Sequence, residues 1–362
     1  MTRIVSAATA FPPHVYDQDV ITAAFADVVL GPDRRDDRRV LERIHQATGV
    51  RRRHLALPLE TYAALDGFGA TNDAFIEVGV ELGSEAVTKA LADVGLAPAD
   101  VDVVMTTTVT GVAAPTLDAR LVPRIGLRDD VRRIPMFGLG CVAGAAGLAR
   151  LHDLVAGDPD AVAVLLSVEL CSLTVQRDDA SMANLVASGL FGDGAAAVVL
   201  VGERRAAALG MSGPQVVATR SRMDPDTERV MGWDIGGSGF RIVLAASVAD
   251  VVEEHLGGDV TAFLGDFDLK IGDVSGWVAH PGGPKVLHAM TRALGLPPDA
   301  LDRTWRSLEQ VGNLSSSSVL HVLAARLAAP PVRSTTGAPA TTYDVMLAMG
   351  PGFCSEIVLL RW

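Results

Sequence analysis

Cysteine is scarce in this chain: three residues, Cys141, Cys171 and Cys354, among 362. An odd and widely spaced set makes no disulfide framework, and without a CxxC pair there is no zinc-ribbon or zinc-finger pattern. Charge is sparse as well, at 20% of residues, and its balance has the wrong sign for nucleic acid: 31 Lys and Arg against 43 Asp and Glu, a net charge of −12. No apolar run approaches the ~18 residues of a membrane span, and the opening MTRIVSAATAFPPHV lacks the basic-then-apolar layout of a secretion signal. The expectation is a cytoplasmic protein with neither a nucleic acid nor a membrane as partner. What is abundant is small and apolar, with 49% hydrophobic residues and 36 Gly, the composition of a tightly packed globular chain.

Short apolar runs alternate with helical stretches, the pattern of an α/β protein with buried sheets. Strands are expected at residues 4–10, 101–108, 132–138, 161–170 and 194–202, with helices at 78–94 and from Cys141 to Gly157. After about residue 205 a similar order returns. VVATRS, GWVAH, TTYDVMLAMG and SEIVLLRW read as strands; FRIVLAASVADVVEEHL, PGGPKVLHAMTRAL and SSSSVLHVLAARLAA read as helices. Cys141 follows Thr108 by 33 positions and Asn313 follows His280 by the same 33, each ahead of an apolar helix-forming run. That match fits a duplicated α/β unit, with residues 1–205 and 206–362 as halves and two central helices whose N-termini bring Cys141 and Asn313 together.

Three residues stand in settings that carry chemistry. Cys141 lies in FGLGCVAGAAG, where a strand, a glycine turn, the Cys and a helix make a nucleophile elbow. A helix N-terminus and a neighbouring imidazolium would both favour its thiolate; otherwise a buried Cys is an inert small hydrophobe. His280 ends a buried strand and faces Pro-Gly-Gly-Pro, although a histidine there can equally be a satisfied sheet-edge residue. Asn313, in VGNLSSSSVLHVL, has an N-cap as its plain alternative. The four serines after it read as small helix-start residues, since a phosphate loop would need glycines and a lysine. Together, thiolate, imidazole and carboxamide suffice for acyl transfer from a thioester followed by decarboxylative condensation, with no metal or redox cofactor.

With those residues in view, the sequence resembles the type III polyketide synthases, the chalcone and stilbene synthase family with its bacterial members. The motifs are GCVAGAAGLARL around Cys141, LFGDGAAAVVL, WVAHPGGPKVL, GNLSSSSVL and MGPGF, spread over nearly the whole chain. The resemblance implies an αβαβα thiolase-like fold, a homodimer, and a catalytic triad of Cys141, His280 and Asn313. It also implies acyl-CoA as starter and malonyl-CoA or methylmalonyl-CoA as extender, and a pyrone, resorcinol, naphthalene or related aromatic as product. Phe191 matches the aromatic gate between a CoA tunnel and the cavity, and Phe240 a second gate residue. Thr110, Cys171 and Thr174 match cavity-lining positions, and Met349 stands in the loop beside them. Arg43, Gly283 and Lys285 match the CoA-binding region.

The chain departs from the plant pattern in places. GFGPG is replaced by AMGPG, with Ala348 and Met349 leading. The Met that crosses the plant dimer is replaced near Ala114, and a cavity Thr near Val109, so the plant products do not transfer. Two alternatives differ in kind. One is a ketoacyl-carrier-protein synthase III, whose histidine and asparagine stand in other contexts than HPGGPK and GNLSSSS. The other is a catalytically idle homologue acting as a partner subunit, against which the intact triad argues.

Overall fold

The computed structural model describes residues 2–30, 35–331 and 341–362. Nine strands form one hydrogen-bonded sheet: β1 (Thr2–Ala10), β2 (Val103–Thr108), β3 (Arg132–Phe137), β4 (Val162–Leu170), β5 (Asp193–Gly202), β6 (Gln215–Met223), β7 (Val274–Ala279), β8 (Tyr343–Gly350) and β9 (Cys354–Arg361). Their order is β7-β8-β9-β6-β1-β5-β4-β2-β3. The strands of the two halves meet only where β1 pairs with β6, at Thr2↔Val216 and Arg3↔Gln215.

Alternation along the strands decides the layering. In β4, Val162, Val164, Leu166, Val168 and Leu170 face one core, whereas Ala163 and Leu165 face another. The first core is closed by α3 (Gly67–Ala92) and α4 (Leu117–Ile125). The second surrounds α5 (Ala143–Ala156) and the later helix Ser316–Leu327, and takes side chains from both halves of the sheet, among them Met105, Leu165, Val278, Met346 and Val358. A third core lies on the far side of β7–β9, under helices Val248–Gly265 and Pro284–Ala293. The result is the expected αβαβα stack.

The two central helices touch at Gly144. A Cβ there would come within 2.3 Å of the Ser316 carbonyl oxygen and 2.7 Å of Val319 Cγ1, so only a hydrogen fits at this crossing. That contact draws the two helix starts together, and with them the residues that precede each helix.

Two expected elements differ. FRIVL is not the start of a helix: Gly239–Leu244 pairs antiparallel with Met231–Gly236, and helix begins only at Val248. Its β-branched residues fit a pleated ribbon better than a helical turn. The helix expected over 78–94 begins earlier, at Gly67, because glycines and an Asn near its start hide the apolar period. Among the described residues no helix is long and apolar enough to cross a membrane.

Candidate active site

Strand β3 ends at Phe137, and the chain then reverses through Gly138 (φ 98°) and Gly140 (φ 57°), both in the left-handed region that glycine adopts freely. Cys141 sits in the single 3-10 turn Gly140–Val142 that leads into α5. This is the expected elbow. The thiol is buried and donates to Ser315 Oγ at 3.7 Å.

Further helices are α6 (Met182–Leu190), α7 (Val248–Gly265), α8 (Pro284–Ala293), α9 (Asp302–Val311) and α10 (Ser316–Leu327). His280 follows β7, anchored by its own N–H donating to the Leu347 carbonyl at 2.9 Å. Its ring is buried, and Nδ1 has no hydrogen-bond partner among the described residues, a condition that polar atoms in interiors rarely tolerate outside functional sites.

Asn313 precedes α10 but is not its N-cap, a place taken by Ser315. Its Oδ1 accepts from Ser315 N–H at 2.8 Å and from Ser318 Oγ at 3.3 Å. With the oxygen committed to these donors, the Nδ2 amide hydrogens are the part left to point at a substrate. Ser315 itself has φ 49°, a strained conformation for a non-glycine residue and one that collects at functional sites.

The serine run does more than begin a helix. Ser316 Oγ and N–H both donate to Glu169 Oε1, while Ser316 and Ser317 hydroxyls bond Ser167, the first and second at 2.7 Å each. Glu169 is wholly buried on β4, and its other oxygen accepts from Thr108 Oγ1, Val109 N–H and Thr110 Oγ1 at 3.2, 3.1 and 2.8 Å. Glu169 and Ser315 were both missed in the sequence. The signal for Glu169 was available, an acid alone in the apolar strand VAVLLSVEL; for Ser315 there was none.

One cavity of about 870 Å³ collects these groups. Cys141, His280, Asn313 and Ser315 line it, together with Thr110, Cys171, Thr174, Phe191 and Met349. Gly283 and the exposed Lys285 line it too. An apolar arm extends between helices α1 (Gln18–Val29), α2 (Arg35–Ala47) and α6, walled by Ile21, Phe25, Ile44, Met182 and Val186.

Two expected residues lie elsewhere. Arg43 is exposed on α2 and donates to the Arg39 carbonyl at 3.4 Å, while Ile44, Ala47 and Thr48 of the same stretch face the cavity. Helical geometry explains this: neighbouring residues point about 100° apart, so the side that offers Ile44 turns Arg43 away. Phe240 is buried in an aromatic cluster with Phe68, Phe137 and Trp233, at ring-centroid distances of 5.3, 6.2 and 5.9 Å, and Trp233 rather than Phe240 reaches the cavity wall.

The electrostatics correct a further expectation. Burial pushes the Cys141 thiol up to about 12, with the nearby Glu169 charge adding to the rise and Ser315 opposing it. Burial likewise pushes His280 down to about 3. Burial thus opposes both the thiolate at Cys141 and the imidazolium at His280, and favours the neutral form of each. Cys171 is raised well above the ordinary thiol range, burial again leading. Among the described residues no group of three or more His, Cys, Asp and Glu is placed to hold a metal ion.

Two family models match the chain: Chalcone and stilbene synthases, N-terminal domain, over residues 1–204, and the corresponding C-terminal domain over residues 215–362. The chain is 55% identical to a 1,3,6,8-tetrahydroxynaphthalene synthase of Streptomyces peucetius subsp. caesius, over all of this chain and 93% of the relative. It is 29% identical to an enzyme of the same description from Streptomyces griseus, over all of this chain and 93% of that protein. In three dimensions it is similar to the tetrahydroxynaphthalene synthase of Streptomyces coelicolor A3(2), a bacterial type III polyketide synthase, with a TM-score of 0.90, 27% identity and 99% of each chain covered.

Proposed function

The chain belongs to the chalcone and stilbene synthase family and is a type III polyketide synthase, and from that premise we propose that Cys141 carries the growing chain while His280 and Asn313 drive decarboxylation. The observation that carries this reading is the convergence of the three side chains on one cavity. The ketoacyl-carrier-protein synthase III alternative is set aside by the family match.

Starting from the neutral pair, His280 accepts the thiol proton as Cys141 sulfur attacks the starter thioester, and returns it to the departing CoA sulfur. Proton transfer timed with attack avoids a free buried thiolate. The extender then loses CO₂, and the electron pair of the broken C–C bond moves onto its thioester oxygen as an enolate. An imidazole N–H and the Asn313 Nδ2 hydrogens meet that oxygen where charge develops. The enolate carbon attacks the acyl-Cys141 carbonyl, forming the new C–C bond and releasing the sulfur for reloading.

The starter and extender we propose are both malonyl-CoA, and the product is a tetrahydroxynaphthalene, the naphthalene among the products that the resemblance implied. The support is the relative from S. peucetius, 55% identical along the whole chain. Its ten-carbon skeleton is the sum of five two-carbon units, so five malonyl-CoA yield one product, five CoA, five CO₂ and one water. Methylmalonyl-CoA would leave methyl groups that such a product lacks. Lys285 at the cavity mouth takes the CoA phosphate role in this reading, and residues 1–205 and 206–362 act as the two halves of each subunit. The homodimer that the family resemblance implies belongs to this reading.

Incubation with malonyl-CoA alone, followed by mass spectrometry, tests the product. A ten-carbon aromatic is expected; no product without an added acyl-CoA starter would overturn the malonyl reading.

A further inference from the structure

Arg53 is a charged residue in an unusual place. It is 2% exposed, yet among the described residues its hydrogen bonds go only to neutral oxygens: Nε to Gln18 Oε1 at 3.1 Å and Nη1 to the Phe191 carbonyl at 2.6 Å, while Nη2 has no partner there. Burying a guanidinium without a hydrogen-bonded carboxylate costs stability that an apolar residue of similar volume would not. Asp193 attracts it through space, but that carboxylate is already occupied by Ser172 N–H, Ser172 Oγ and Ala56 N–H.

What the guanidinium touches accounts for its position. Phe191 and Asn313 sit on two segments zipped together by Asn313 N–H donating to Leu190 O at 2.8 Å and Gly192 N–H donating to Asn313 O at 2.9 Å. The Arg53 stem lies across both. A Cβ at Gly192 would come 3.5 Å from Arg53 Cγ, and one at Gly312 would come 3.1 Å from Arg53 Cδ. Gln18, which holds Arg53 Nε, also donates to Gly189 O at 2.7 Å, fixing the segment one turn earlier. Arg53 lines the cavity wall between these residues.

We infer that Arg53 is a positioning residue that braces the Phe191 segment against the Gly312–Asn313 segment, so that the aromatic at the cavity wall and the carboxamide at the enolate are held in one geometry. It acts through Phe191 and Asn313, and the inference rests on the roles proposed for them. A shift of the carboxamide by about 1 Å costs on the order of 10²-fold in rate. The brace therefore affects decarboxylation far more than loading of Cys141, which stands on the opposite elbow.

Arg53→Lys keeps the charge near Asp193, but its single ammonium cannot reproduce the forked hold on Gln18 and Phe191. Three readouts apply: acylation of Cys141 by mass spectrometry, release of CO₂ from malonyl-CoA, and hydrogen exchange of segments 189–193 and 311–315. The expected result is acylation within about three-fold of wild type, decarboxylation lower by roughly 10- to 100-fold, and faster exchange in both segments. Gln18→Met should give the same pattern in weaker form, and it serves if Arg53→Lys does not fold. Asn313→Ala is run beside them: if it leaves decarboxylation intact, the role of Asn313 fails, and hydrogen exchange alone decides the brace. Unchanged exchange in both segments, or acylation and decarboxylation falling together with the folded fraction, overturns the inference.

Discussion

In the first half of the molecule β2 ends at Thr108 beside β4, and α5 begins just beyond Cys141; in the second, β7 ends at Ala279 beside β8, and α10 begins just beyond Asn313. The strand orders β2-β4-β5-β1 and β7-β8-β9-β6 repeat one another, each with a parallel pair followed by two antiparallel ones. The registers place Thr107 opposite Ser167 and Ala279 opposite Leu347, so Glu169 and Met349, two residues further on, are counterparts. One scaffold therefore presents a thiol, two threonines and a buried acid in one half, and an imidazole, a carboxamide and a methionine in the other. In the reading proposed above the side chains divide the labour: covalent capture in the first half, enolate formation in the second. Glu169 crosses the divide by bonding Ser316 at the start of the opposite helix.

The sharpest way to break this division is to disable one half and assay the other. Cys141→Ala should lower product formation by on the order of 10⁴- to 10⁶-fold, as removal of a covalent nucleophile does elsewhere. CO₂ release from malonyl-CoA should persist, because the enolate needs only the second half's donors. Loss of both activities together would mean the halves are not separable. Peptide mapping after incubation with acyl-CoA should find the adduct on Cys141 and not on Cys171 or Cys354.

The reciprocal change is Asn313→Ala. Decarboxylation should fall ~10²–10³-fold, the usual cost of one donor at a developing oxyanion, while acylation of Cys141 stays within a few-fold. Equal losses in both would assign Asn313 to holding Ser315 and the strained start of α10. A smaller effect is expected of Phe191→Leu, which should alter starter preference by no more than roughly ten- to two-hundred-fold, the range that hydrophobic fit spans. If the melting temperature drops sharply with product ratios unchanged, the ring is core rather than gate.

The mildest effect concerns protons and the fold as a whole. His280 is depressed to about 3, and His45 and His321 to about 4, burial being the leading cause in each. The folded state then binds fewer protons than the unfolded chain below pH 6.5, so this contribution is fully present above 6.5 and is lost as pH falls toward 4. Asp193, raised to about 6 by burial, works in the opposite direction between about 6 and 3.8. His54 and His152 are lowered by burial as well, and Glu169 and Asp259 are raised by it; with five imidazoles against three carboxyls, melting temperature should fall from pH 7 to pH 4.5. Replacing His321 with Gln should flatten part of that slope without touching the cavity groups, and an unchanged slope would remove His321 from the account.

Much of this was legible along the chain. The elbow at Cys141, the strand-end His280 and the pre-helical Asn313 announce themselves through local periodicity and glycine placement, and the shared 33-residue spacing already pointed to a repeated unit. These features are short-range: a turn, a strand end and a helix start depend on a few neighbouring residues. Other features required the folded chain. Arg43 and Phe240 looked equivalent to lining residues in sequence, but helix phase turns one to solvent and an aromatic cluster buries the other. The pKa shifts of Cys141 and His280 follow from the burial of both side chains by distant segments, which no local pattern encodes. Glu169 meets Ser316 across 147 positions, and Arg53 reaches Phe191 across 138. The amino-acid sequence by itself determined which side chains stand at the elbow, the strand end and the helix start, because local backbone preference presents them; the tertiary structure alone decided their desolvation and their alignment, because burial and long-range hydrogen bonds exist only once distant segments have packed.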